Sequence, residues 1–209
     1  MGVESVREAS VTSSFETPQS EESDELYIEF QPPESPTTFE GLNDYPYSTQ
    51  DVIRGNYRYE SSPRFGSPEV GEGEFQLRTE SDLAILRTEN DRPRPKKIFE
   101  AIDQVINSGS DISREFVPNQ EQAWDFVERA DDLLEVKVIT PSGRIESANQ
   151  LDVGWEELRD RYHIELAQMV FDHGEGISAR YNDDTLKIEP DESEAREFVI
   201  QNFEIVMAD

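Results

Sequence analysis

Residues 164–188 read IELAQMVFDHGEGISARYNDDTLKI. Three apolar runs, Ile164–Phe171, Ile177–Tyr181 and Leu186–Ile188, are separated by Asp172-His173-Gly174-Glu175-Gly176 and by Asn182-Asp183-Asp184. Gly, Asn and Asp tolerate the backbone of tight turns. Connections this short join antiparallel strands, because a parallel pair needs a crossover of a dozen residues or more. The stretch therefore predicts an antiparallel meander.

Working outward, the same alternation recurs upstream. Leu134, Val136 and Val138 alternate with Glu135 and Lys137, and Thr140-Pro141-Ser142-Gly143 turns the chain into Arg144-Ile145-Glu146, a hairpin. Phe75, Leu77 and Thr79 alternate with Gln76 and Arg78, and Leu83–Thr88 follows closely enough to make a second hairpin. Helical spacing appears between these runs. Ile98, Phe99, Ile102, Val105 and Ile106 share one face, with Pro95 in the first turn and Gly109 as the stop. Asn119 and Gln122 have capping-box spacing ahead of Trp124, Phe126, Val127 and Ala130. Asp152 is placed to cap a short helix bearing Trp155 and Leu158. Asp191 and Glu194 open a last helix with Phe198, Val199, Phe203 and Val206 inside. Residues 74–209 are thus expected to form an α+β domain, an antiparallel sheet with helices packed on one face.

The N-terminal third reads differently. Residues 1–24 are mostly Ser, Thr, Glu, Pro and Gln, too polar to offset the entropy of ordering, and are expected to be a disordered tail. Residues 25–73 carry a strand signal at Leu26, Ile28 and Phe30. Tyr45, Tyr47, Tyr57, Tyr59 and Phe65 follow among Pro, Gly, Ser and Asn. This density of aromatics suggests a partly ordered extended arm packed on a body, its own domain or a partner, and makes those five side chains interaction candidates.

The chain has 209 residues with 47 Asp and Glu against 19 Lys and Arg, a formal charge of -28, and no cysteine. Its only lysines are Lys96, Lys97, Lys137 and Lys187, and the acids run through the whole length without a long block. In these respects the composition resembles that of cytosolic proteins of salt-in haloarchaea or of their viruses, and the resemblance implies a salt-adapted cytoplasm. Without cysteine there is no disulfide, thiol nucleophile or thiolate metal site. No run approaches the roughly eighteen apolar residues of a membrane span, so no membrane association is expected. So acidic a surface repels phosphate backbones and argues against nucleic acid as a direct partner.

Few residues suggest chemistry, and no cofactor is expected. Gly71 and Gly73 flank Glu72 but lack the rest of any phosphate-binding fingerprint. Glu135-Val136-Lys137, with Asp132 upstream, resembles the Glu-x-Lys half-motif of restriction-endonuclease-like nucleases. That resemblance implies a divalent metal held by Asp132 and Glu135, with Lys137 positioning a water. Asp172, His173 and Glu175 in one turn are candidate metal ligands. Arg92, Arg94, Lys96 and Lys97, ahead of a helix, are candidates for anion binding. The expected function is a non-catalytic interaction or assembly module with a protein partner or a second copy of itself. A metal-dependent hydrolase or nuclease is the alternative, and an acidic decoy for a basic site a third reading.

Overall fold

The computed structural model describes residues 2–11, 20–39, 42, 44–62, 67–89, 93–106, 110–115, 118–174, 176–182 and 185–207. The chain divides into two compact units, one of Met1–Pro36 with Tyr47–Phe116, the other of Thr37–Pro46 with Val117–Asp209. Both are α+β, with antiparallel strands and helices.

The first unit contains β1 (Val3–Val11), β2 (Ser20–Glu22), β3 (Leu26–Phe30), β4 (Val52–Ser61), β5 (Glu69–Arg78), β6 (Leu83–Thr88), α1 (Pro95–Ile106) and β7 (Ser110–Glu115). Its strand order is β2-β3-β4-β5-β6-β1, with β7 paired to the outer side of β1. Period-two burial makes one face apolar. Ile28, Tyr57, Tyr59, Phe75 and Leu77 on that face join Ile98, Phe99, Ile102 and Ile106 of α1 in one core.

Here the structure departs from the sequence expectation. Residues 3–11 form a central strand, where a disordered tail is expected, with β6 on one edge and β7 on the other. Composition hides this strand because its buried side chains are largely polar. Glu4, Ser5 and Arg7 are all buried, Arg7 lies 5.6 Å from the centroid of the Phe99 ring, and Glu4 lies 3.9 Å from Arg87. Most of the expected arm is also strand. Tyr57 and Tyr59, each 3% exposed, occupy inward positions of β4 opposite Ile28 and Leu26.

The second unit contains α2 (Gln120–Glu128), β8 (Asp132–Ile139), β9 (Ile145–Ser147), a 3-10 turn (Ala148–Gln150), α3 (Trp155–Arg161), β10 (His163–Phe171), β11 (Ile177–Asn182), β12 (Thr185–Glu189) and α4 (Ser193–Met207). The sheet order is β12-β11-β10-β8-β9, so the meander and the hairpin read from sequence are both present. Asn119 and Gln122 make both bonds of the capping box at α2. At α3 the N-cap is Gly154 rather than Asp152, without a side-chain bond. An aromatic core forms where Phe126 meets Phe171, Tyr181 and Phe203 at centroid distances of 6.1, 5.8 and 5.1 Å. Phe39 and Tyr45 belong to this unit as well: Phe39 stands edge-on to Phe198 at 5.5 Å, and the Tyr45 hydroxyl donates to the buried Glu204 carboxylate at 2.7 Å.

The pairing of this sheet has an irregularity on its β8 side. The β8–β10 register passes from Glu135↔Gln168 to Leu133↔Met169, leaving Leu134 as the extra residue of a bulge.

Candidate functional site

The bulge sets the geometry of the β8 edge. Regular alternation would send Leu134 inward with Val136 and Val138, but Leu134 is 59% exposed. Beyond it, β9 pairs only with Lys137–Ile139 of β8. The chain then leaves at Ser147 through the 3-10 turn. A cleft of about 280 Å³ opens there, lined on one side by Leu133–Val136 and on the other by Ala148, Trp155 and Leu158.

Trp155 is held firmly while remaining 42% exposed. Its ring stands edge-on to the fully buried Trp124 at 5.1 Å, and Trp124 is itself anchored by donating to the Tyr162 carbonyl at 2.8 Å. The Trp155 indole N–H donates to Glu128 at 2.8 Å. Arg159 clamps Glu128 and Asp125 together beneath it. Ile145 of β9 is also exposed, but it pairs with Ile139, at the other end of β8 from the cleft.

Most of the residues singled out in the sequence are placed elsewhere. Asp132 is exposed, and its carboxylate accepts the N–H of Leu133 at 2.9 Å. Glu135 and Lys137 pair with each other at 3.3 Å. Of the three, Glu135 lines the cleft, and Asp132 and Lys137 are not among its lining residues. Among the described residues no group of three His, Cys, Asp or Glu side chains could hold a metal ion. The His173 ring is stacked on Phe198 at 4.2 Å and edge-on to Phe39 at 5.3 Å, so it serves as packing. Asp172 is exposed, and Glu175 lies outside the described residues.

Of the interaction candidates, Tyr45, Tyr57 and Tyr59 are buried in their own units, Tyr47 is half-buried, and Phe65 lies outside the described residues. The basic island is only partly open. Lys97 pairs with Glu69 at 2.7 Å, and that hydrogen bond holds its ammonium above the ordinary pKa. Arg94 and Lys96 are exposed, and Arg92 lies outside the described residues.

Gly73 and Gly71 prove to be packing positions. A Cβ on Gly73 would lie 2.2 Å from the Arg87 carbonyl oxygen, and one on Gly71 would lie 2.6 Å from the Pro93 ring.

A second, polar cleft of about 520 Å³ lies on the first unit. Glu29, Asn56, Glu74, Arg87 and Glu4 stand in register across β3, β4, β5, β6 and β1. Arg87 lies 3.3 Å from Glu74, and Arg58 lies 3.7 Å from Glu72. These two cross-strand pairs stabilise the sheet face, whose lining still carries four glutamates to two arginines. Such pairs do not account for the exposed Leu134 and Trp155 at the β8–α3 edge. Among the described residues no helix is long and apolar enough to cross a membrane. Comparison of the chain with protein families, with characterised proteins and with solved structures finds no match.

Proposed function

We propose that this chain is a non-catalytic protein-interaction or assembly module of a salt-adapted cytoplasm, and that its partner docks on the β8–β9–α3 edge. The observation that carries this reading is the exposure of Leu134 and Trp155 on facing walls of one cleft of the second unit. Exposed apolar residues scattered singly need no explanation, but large ones gathered at one cleft mark an interaction site. Trp is enriched among residues that dominate binding energy, and a ring already fixed by Trp124 and Glu128 loses little entropy on docking. The expected contact element thereby moves from the tyrosine-bearing arm to this edge.

The test is affinity capture in molar potassium chloride using the full-length chain. Deleting residues 1–73 is unsuitable, because it removes β1–β4 from the first unit. The informative variant is Leu134→Glu with Trp155→Ala, compared with Tyr27→Ser, which changes an exposed aromatic of the other unit. A partner or second copy retained by wild type and Tyr27→Ser but lost from the double variant is expected. Equal capture by all three would refute the assignment of this edge.

A further inference from the structure

Resting on the docking role just proposed, we infer that the outer edge of β8 takes up an extended, basic segment of a partner protein by strand addition. β8 has eight residues and β9 three, so among the described residues Asp132–Val136 have β10 on one side and no strand on the other. The cleft follows the track that β9 leaves at Ser147, with Trp155 and Leu158 as its far wall. An edge of five residues suits a short extended peptide, whose main chain would pair with β8 while alternate side chains enter the cleft. The volume agrees. About 280 Å³ is below the range of most small-molecule sites and holds one or two apolar side chains.

Charge selects among possible occupants. None of the described lining residues is basic; Glu135 among them is paired with Lys137, and the acid excess beside the cleft comes from exposed Asp132 and from Glu128 and Asp125, which share one arginine. The neighbouring cations are already committed: Lys137 to Glu135, Arg159 to Glu128 and Asp125, Arg161 to Glu157. A second copy would bring its own acidic edge against this one, whereas Lys or Arg flanking apolar anchors would meet a complementary field. Asp132 serves as the guard of the free edge. It is exposed, and a charge at an unpaired edge discourages indiscriminate pairing.

The experiment titrates the full-length chain with three synthetic peptides in about 0.5 M potassium chloride, where screening is strong but incomplete. The first is acetyl-Lys-Val-Lys-Leu-Lys-Val-amide. The second is the same peptide N-methylated at every second residue, and the third has Glu for Lys. Tryptophan emission and backbone amide exchange over 133–136 are followed. The first peptide is expected to saturate the emission change and to slow exchange at those amides, with the other two at least about tenfold weaker. Equal affinity of the N-methylated peptide, or protection confined to other strands, overturns strand addition. Equal affinity of the Glu peptide overturns the basic occupant. Either result leaves the docking role standing if the double variant still loses its captured partner. Retention of that partner by the variant sinks the docking role whatever the peptides do.

Discussion

At the residue scale, two glycines with opposite surroundings separate packing from backbone strain. Gly73 lies in β5, and the Cβ of an alanine there would fall 2.2 Å from the Arg87 carbonyl oxygen and 2.8 Å from the Tyr57 hydroxyl. The carbonyl belongs to the neighbouring strand and cannot retreat alone. Gly73→Ala is expected to cost about 1–3 kcal/mol in urea unfolding. Gly143, with φ +76 and nothing within 4 Å, should charge Gly143→Ala only for its left-handed backbone, about 1–2 kcal/mol. Two aspartates give opposite pH signs. Hydrogen bonding to Arg129 lowers the Asp44 pKa below 3.8, so its contribution is fully present above 3.8 and is lost as pH falls through the lower folded value. Because the Asp44 side chain is mostly exposed, Asp44→Asn should cost less than about 1 kcal/mol at neutral pH, and its melting curve should merge with wild type in acid. Burial, and secondarily Glu8, raises the Asp82 pKa, so its charge opposes folding at neutral pH. Asp82→Asn, which also tolerates φ 53, should melt slightly higher than wild type, the gain vanishing as pH falls through the raised value.

At the element scale, α2 and α3 divide support from contact between two tryptophans. Trp124 is fully buried and anchored to Tyr162, so Trp124→Ala is expected to cost about 3–5 kcal/mol. Trp155→Ala should leave the melting temperature within a few degrees of wild type, because its ring remains substantially in water. A large loss of stability in Trp155→Ala would show a structural rather than a docking role for that ring. The same elements show what alternation can and cannot reveal. The strands of the second unit and the α2 cap were legible because period two, turn residues and the Asn119–Gln122 spacing are local signals. The candidate site was not. Parity assigns Leu134 to the core, and only the pairing of β8 with β10 reveals the bulge that turns it out. Likewise β1 has no apolar face to detect. Its order depends on two neighbouring strands and on partners, Arg87 and Phe99, that lie far away in sequence.

At the scale of the whole molecule, charge decides. Pairing every one of the 19 Lys and Arg with a carboxylate would still leave 28 acids without a cation, since 47 less 19 is 28. Several of the pairs that do form join residues two apart on one strand, as in Lys137–Glu135 and Lys187–Glu189, and tie no elements together. The net repulsion is therefore left to the solvent. The Debye length falls from about 30 Å at 0.01 M salt to about 10 Å at 0.1 M and about 3 Å at 1 M, so repulsion across a unit is removed mostly below 1 M. The melting temperature should accordingly climb steeply between millimolar and about 1 M potassium chloride and then flatten. A curve that keeps rising linearly into several molar would identify surface exclusion and stronger apolar burial as the cause instead. An unchanged melting temperature across the whole range would mean that the acid excess is not destabilising at all, and the link between composition and a salt-rich environment would fail with it.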